Sequence, residues 1–422
     1  MMTACYSFAI VDRQILNLLV EPMKHAFAAT DPQIGLLLGP AFTLSYTALG
    51  IPGGWCADRF NRRRIVIIAG TIWSLGTLGA AFARSYDALL VTRVIVGASE
   101  AFLFSSGMSL IADLFERRRL PLATSIFLLA PYIGGGLSLI LGGILLDATI
   151  KLPPLAVGPL GAIQGWQMTF AIVGLLSLLP VLGLTFLREP SRTAALEADE
   201  QDRRYGFVEG LMYLARRWRF YAMFYFGMAG SSLVLNTVPA WAPTFLIRRF
   251  GMSSTDIGLH YGVLVLIFGL SAGITAPLVN AWLARRYPDS TMRTVLIGPA
   301  VAVAAALLLM LAGTKWGAIA CLALVTFGYS FPLSMAGASL QLATPPRLRG
   351  LASSFYFVIV GLIGLGLGPV LVPFVSGTLL HDPHRIGEAL AIVAILFSAV
   401  ALILLSVALR SFRIERDLVR RG

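Results

Sequence analysis

Four charged side chains fall where an apolar chain tolerates them least. Asp12 and Arg13 interrupt Ala9-Ile10-Val11-Asp12-Arg13-Gln14-Ile15-Leu16, and Arg93 and Glu100 bracket Arg93-Val94-Ile95-Val96-Gly97-Ala98-Ser99-Glu100-Ala101. At ~1.5 Å of rise per helical residue, Asp12 and Glu100 both sit near the centre of a ~30 Å hydrocarbon layer. A charge at that depth costs at least ~2.5 kcal/mol, so it is kept where it meets a partner or a wet cavity. Arg93 and Glu100 lie two helical turns apart and share one face. Desolvation and a nearby guanidinium pull a carboxylate's proton affinity in opposite directions. A group balanced between them can take up and release a proton, which makes Asp12 and Glu100 the candidate proton-coupling carboxylates. Two static readings compete with this one: mutual neutralisation of Asp12 and Arg13, and a fixed Arg93–Glu100 brace.

The elements that must position these groups are membrane helices. Of 422 residues, 57% are hydrophobic and 13% charged, and the mean hydropathy of +0.80 excludes a soluble globular domain. Apolar runs of spanning length fall at roughly 3–22, 33–57, 65–84, 88–112, 121–147, 166–187, 218–245, 256–283, 293–313, 317–343, 351–376 and 388–410. The expected fold is therefore an all-α membrane protein of twelve transmembrane helices in two pseudo-symmetric six-helix bundles. The expected divisions are a first bundle over 1–187, a linker over 188–217, a second bundle over 218–410 and a tail over 411–422. Within the linker, Phe207-Val208-Glu209-Gly210-Leu211-Met212-Tyr213-Leu214 reads as an amphipathic interfacial helix.

A net charge of +12 would suit nucleic acid, but the arginines collect in loops on one side, as the positive-inside rule requires. Both termini and the linker are expected in the cytoplasm, and no nucleic-acid partner is expected. The first segment lacks the basic n-region of a cleavable signal peptide. It also has no positive charge before Asp12, and whether the natural start lies earlier is not determined at this level. Cys5, Cys56 and Cys321 are far apart in apolar runs and do not form a disulfide framework.

The halves are related in sequence. Laying Ile34-Gly35-Leu36 on Ile257-Gly258-Leu259 without a gap also lays Arg62-Arg63 on Arg285-Arg286. The same register sets Asp12 on Leu235 and Arg13 on Asn236. A second alignment, through Gly97-x-Ser99 and Gly328-x-Ser330, sets Glu100 on Phe331 and Arg93 on Leu324. Membrane charge is thus confined to the first half, where a fold-wide brace would recur in both. The corresponding stretches of the second half, with Asn236, Thr237, Tyr329 and Phe331, are uncharged and suit an apolar tail.

Further motifs join the segments. Gly54-Trp55-Cys56-Ala57-Asp58-Arg59-Phe60-Asn61-Arg62-Arg63-Arg64 links segments two and three. Gly54 is expected to permit close helix approach, Asp58 to accept from a facing helix, and Arg59, Arg62 and Arg63 to stay at the anionic leaflet as part of a cytoplasmic gate. Its counterpart in the second half is eroded, with Pro277, Ala281 and Trp282 at the positions of Gly54, Asp58 and Arg59. Ala130-Pro131-Tyr132-Ile133-Gly134-Gly135-Gly136 and Gly364-x-Gly366-x-Gly368-Pro369 read as helix-packing devices. His381 and His384 lack further ligands, and no phosphate-binding loop, nucleophile elbow or HExxH occurs. No enzyme, cofactor or metal is expected.

The G-x-x-x-D-R-x-x-R-R pattern resembles the loop motif of the major facilitator superfamily. Together with Val11-Asp12-Arg13-Gln14-Ile15-Leu16, Asp31-x-Gln33-Ile34-Gly35-Leu36-Leu37, Trp73-Ser74-Leu75 and Arg93-x-x-x-Gly97-x-x-Glu100-Ala101, it makes the chain similar to the spinster branch of that superfamily. The resemblance is best over residues 10–145. It implies a central cavity lined by segments one, four, seven and ten, and alternating access by a rocker switch. Animal members export lysophospholipids or sphingosine-1-phosphate, and short loops without glycosylation sequons point to a bacterial inner-membrane member. The expectation is a monomeric, proton-coupled transporter of an amphipathic, anionic organic or lysolipid-like substrate. Its partners would be that substrate, protons and membrane lipids, with Arg13 and Arg93 tuning the carboxylates or holding the anionic end. A drug or organic-acid transporter, a uniporter and a non-transporting sensor are the alternatives. Substrate, direction and stoichiometry are not determined at this level.

Overall fold

A computed structural model describes residues 1–116, 119–158, 161–187, 189–190 and 207–421. The helices are α1 Met2–Gln14, α2 Val20–Phe27, α3 Asp31–Leu38, α4 Pro40–Arg59, α5 Arg62–Ala80, α6 Tyr86–Leu114, α7 Leu120–Leu128, α8 Ala130–Thr149, α9 Gly165–Gly183, α10 Phe207–Arg216, α11 Trp218–Phe250, α12 Ser254–Asp256, α13 Val263–Ala284, α14 Ser290–Leu311, α15 Lys315–Leu342, α16 Arg349–Val360, α17 Gly368–Phe374 and α18 Ile386–Arg421. Hydrocarbon offers the backbone no hydrogen-bond partners, so apolar runs of this length close their own bonds as helices. Among the described residues the strand pairing is a two-residue antiparallel pair, β1 Leu155–Ala156 with β2 Ala162–Ile163, between α8 and α9.

Among the described residues, nine helical stretches are long and apolar enough to cross a membrane. The remaining three expected segments are helical too. One is α5, which opens on Arg62-Arg63-Arg64, and another is α11, whose apolar residues are diluted by Ser231, Ser232, Asn236, Thr237, Pro239 and Pro243. The third is the first segment, and it is not the continuous helix its apolar run predicts. A 3-10 turn, Ile15–Leu18, separates α1 from α2. Pro22 explains the break, because proline in a helix interior lacks an N–H and its ring collides with the carbonyl four residues earlier. Restarting at Val20 puts Pro22 in the first turn of α2, where no bond is lost. The interruption leaves Asp12 and Arg13 in the last turn of α1.

Two compact units divide the chain, Met1–Leu196 with Pro239–Leu266 and Glu197–Val238 with Ile267–Gly422. The boundaries run through α11 and α13, so Pro239–Leu266 packs with the first unit although it follows the linker in sequence. In the first unit α4 and α5 both pack on α6, and α8 packs on α1. In the second, a buried aromatic cluster includes Phe220, Phe224, Tyr225, Phe331, Tyr356 and Phe412. The amphipathic helix expected in the linker is α10. Gly210 and Leu214 face inward, where a Cβ on Gly210 would meet Leu351 Cδ2 at 2.6 Å, and Val208 is exposed. Of the rest of the linker, Arg188 and 191–206 lie outside the described residues.

Candidate functional site

Asp12 is fully buried. Its Oδ1 accepts a 2.7 Å hydrogen bond from Ser177 Oγ of α9, and its Oδ2 has no hydrogen-bond partner. Thr77 of α5 lies beside the same carboxylate with its own hydroxyl unpartnered. The approach of α5 and α9 needs a small residue one turn before Ser177. There, a Cβ on Gly174 would lie 2.7 Å from Leu78 N. On α6, Arg93 is 1% exposed with Nε and Nη2 unpartnered, and Glu100 is 3% exposed with Oε1 unpartnered. Gly97 stands between them and lets α6 pass α4, since a Cβ would meet Phe42 O at 2.4 Å.

No ion pair joins Asp12 or Glu100 to Arg13 or Arg93 among the described residues. Neither static reading, the Asp12–Arg13 pair or the Arg93–Glu100 brace, is therefore formed. Arg13 instead turns its guanidinium over the Phe42 ring, 5.2 Å from the centroid. Its charge still acts on Glu100, as does that of Arg93, while Glu100 and Arg93 act on Asp12. Two phenols share the site: Tyr6 and Tyr46 both feel Arg13 and Glu100. Tyr46 stacks on Phe42 at 5.5 Å, and Tyr6 on Phe127 at 5.0 Å. Arg13, Arg93, Glu100 and Asp12 thus share a site with aromatic faces. In such a setting an unpaired carboxylate can exchange a proton and an unpaired guanidinium can take an anion.

Sequence alone had not pointed to Ser177, Thr77, Tyr6 or Tyr46 as parts of this site. Hydroxyls and phenols are ordinary in membrane helices, and only the packing of α1, α4, α5, α6 and α9 brings them beside Asp12, Arg13 and Glu100.

The expected second-half residues lie in the second unit and differ in availability. Asn236 is half-buried and donates through Nδ2 to Ser232 O at 2.7 Å. Thr237 is buried with its hydroxyl unpartnered, close to α17, where a Cβ on Gly368 would meet Thr237 Oγ1 at 2.9 Å. Tyr329 is buried and donates to Thr326 Oγ1 at 3.3 Å. Phe331 packs in the aromatic core, 5.2 Å from the Phe327 ring.

At the other charged end of the first unit, the Gly54–Arg64 motif is organised differently from expectation. Gly54 does not make the close helix approach, because nothing lies within 4 Å of where its Cβ would be. Gly53, one residue earlier, faces α6, with a would-be Cβ 3.1 Å from Ala101 O. Asp58 is exposed at the end of α4, and Arg59 stacks over Trp55 at 4.2 Å. Arg62 is 2% exposed and donates to Asp113, to Glu189 at 3.0 Å and to Ser109 Oγ at 3.0 Å. Arg63 donates from its side chain to Leu184 and Thr185 carbonyls and from its backbone to Glu189 Oε2 at 2.8 Å. A second network, missed in sequence, lies where α2, α3 and the end of α11 meet. Arg248 donates to Glu21 at 2.7 Å and to both Asp31 oxygens at 3.0 and 2.9 Å, and Lys24 also donates to Asp31.

The model of the Major Facilitator Superfamily matches residues 2–369. An MFS-type efflux pump of Mycolicibacterium smegmatis is 27% identical over 98% of this chain and 91% of its own length. Protein spinster homolog 1 of Homo sapiens is 29% identical over 87% of this chain and 70% of its own. Among solved structures, a bacterial homologue of the human lysosomal transporter Spinster, inward-facing and unoccupied, superposes with a TM-score of 0.80 at 22% identity, covering 100% of this chain and 96% of that one. Spinster proteins are thus among its relatives, and the chain belongs to the Major Facilitator Superfamily and is a transporter rather than an enzyme.

Proposed function

We propose that the chain couples proton movement to transport of an amphipathic, anionic organic molecule by alternating access. Secondary transport is the coarse activity that the family supports. The observation that carries the finer reading is the state of Asp12 and Glu100. Each is buried within a segment read from the sequence as membrane-spanning, carries an oxygen without a hydrogen-bond partner, and lies in the field of arginines to which it is not paired. Buried charges that serve stability alone are paired, because an unmatched one costs several kcal/mol. These are left in a condition suited to binding and releasing a proton. Arg13 and Arg93 would hold the anionic end of the substrate beside Tyr6 and Tyr46. Asn236, Thr237 and Tyr329 are the proposed contacts of its apolar part; Phe331, packed in the core, would support that wall.

On this reading the two six-helix bundles are 1–187 and 218–410, joined through the 188–217 linker. The chain works as a monomer in a bacterial inner membrane with both termini in the cytoplasm. Asp58, Arg59, Arg62 and Arg63 act at the cytoplasmic gate.

Reconstitution into proteoliposomes tests the coupling. Ligand-induced thermal stabilisation by lysophospholipids, sphingoid phosphates and common drugs identifies a substrate, which is then followed under an imposed pH gradient. Gradient-driven accumulation should disappear in Asp12→Asn and Glu100→Gln, while exchange without a gradient persists. Full gradient-driven transport by folded, inserted variants would sink the coupling and leave uniport. A second reading, drug export, is favoured by the near full-length similarity to the mycobacterial efflux pump, and the same screen separates it from lysolipid transport.

A further inference from the structure

A cavity of about 610 Å³ lies in the first unit, away from Asp12 and Arg93. Its origin is the way two helices share a third. Gly53 brings α4 against α6 at Ala101, and Gly76 brings α5 against α6, with a would-be Cβ 2.9 Å from Val96. Held separately, α4 and α5 leave a trough between them. Its walls include Leu49 and Cys56 of α4 and Ile68 and Ile72 of α5, and its floor Ala98 and Phe102 of α6. The lining is apolar and outward-facing, with Ile68 59% and Ile72 43% exposed. A trough of this kind in a membrane helix bundle is not empty, because lining atoms that face a void lose their dispersion contacts.

Length and charge say what fills it. From Leu49 to the end of α4 at Arg59, and from Arg64 to Ile72, the trough runs on the order of 12–15 Å at the helical rise. That is one leaflet of a ~30 Å hydrocarbon layer. Its polar end is made by Asn61 and Arg64. Asn61 Oδ1 caps α5 by accepting from Arg64 N at 2.8 Å, which leaves its amide nitrogen without a partner among the described residues. The four arginines of this loop are not equivalent. Arg59 stacks on Trp55, Arg62 is ion-paired, and Arg63 is bound to carbonyls. The Arg64 guanidinium is exposed and has no partner among the described residues, and it lines the trough. An apolar slot one leaflet deep, closed by one free guanidinium and one free amide, matches an acyl chain below a phosphate.

We infer that the α4–α5–α6 trough binds one anionic glycerophospholipid of the leaflet faced by the arginine-rich loops, with its chain over Ala98 and Phe102 and its phosphate at Arg64 and Asn61. This site is separate from the transport site and does not depend on the proton-coupling reading.

Native mass spectrometry of the detergent-purified chain, doped in turn with phosphatidylglycerol and phosphatidylcholine of identical chains, reads the site directly. Wild type should retain one phosphatidylglycerol in preference to phosphatidylcholine. Arg64→Gln should lower that retention about fivefold, the worth of one basic contact at an anionic surface. Ala98→Phe, which fills the floor and leaves Arg64 in place, should lower it as well. Arg410→Gln, at an exposed basic residue within α18 of the second unit, should leave it unchanged. Unchanged retention in Arg64→Gln, equal retention of the two lipids by wild type, or an equal loss in Arg410→Gln would overturn the site. Melting temperatures of all variants establish that each is folded.

Discussion

Arg62 and Arg93 are equally buried, at 2% and 1% exposure, and keep opposite company. Arg62 lies at the start of α5 between Asp113 and Glu189, with Ser109 completing its fork. Arg93 lies inside α6 with two of its nitrogens donating to nothing. The same division holds for the acids. Asp31 accepts from Arg248 and Lys24 at one end of the first unit, whereas Asp12 and Glu100 each keep an oxygen unpartnered in the interior. Paired charge at the helix ends holds helices together. Unpaired charge at mid-depth is a standing cost that packing alone does not explain, and it is retained where a ligand or a proton completes the site.

The comparison is most directly broken by removing Arg62. Arg62→Gln leaves Asp113 and Glu189 without their counter-charge, and loss of one partner of a buried pair costs about 3–5 kcal/mol. Thermal unfolding in detergent should show a large drop; a change within experimental scatter would mean the network is not structural. Glu100→Gln should do the reverse. Gradient-driven transport falls about 100-fold, the usual scale for a proton-transfer group, while the melting temperature holds or rises because an unmatched charge has been removed. A melting temperature that falls with transport would make Glu100 a brace.

Smaller effects sharpen the same contrast. Gly53→Val should destabilise by about 1–3 kcal/mol through its collision with Ala101, and Gly54→Val by no more than about 0.5 kcal/mol. Reversal of that order in chemical unfolding would restore Gly54 to the packing role its motif suggests. The weakest test concerns Asp289, a paired acid between α13 and α14. Burial pushes its carboxyl up, but hydrogen bonds from Arg293 at 2.9 Å and Arg413 at 2.7 Å outweigh burial and hold it below the usual carboxylate range. A depressed folded-state value means that its stabilisation is complete above an unfolded value near ~3.9 and is lost as pH falls through the lower folded one. Asp289→Asn should therefore cost about 1 kcal/mol at neutral pH, and wild type and variant should converge in stability as the pH is taken below the depressed folded-state value. A gap that persists there would assign the effect to packing.

Much of the fold was legible because hydrocarbon leaves the backbone so few choices. Runs of apolar residues long enough to span must be helical, and all twelve expected segments are, with edges moved by caps such as Thr30 before α3 and Asn61 before α5. Where the sequence reading erred, the error was local. Pro22 divides the first segment, an effect that hydropathy does not register, and a one-residue difference in helical phase gives the close approach to Gly53 instead of Gly54. Burial of Asp12, Arg93 and Glu100 was also legible, since few charged residues fall within otherwise apolar runs.

Partnership was not legible. Asp113 and Glu189 are distant from Arg62 in sequence, as Glu21 and Asp31 are from Arg248, and nothing in composition couples them. Nor could spacing show that Arg13 would turn onto Phe42, or that Ser177 would donate to Asp12. The sequence by itself determined where charge enters the membrane, because the transfer cost depends on residue type and depth alone. Only the tertiary structure decided which of those charges are paired, because a hydrogen bond depends on ångström-scale distances between side chains on different helices, and packing at glycines such as Gly97 and Gly174 sets those distances.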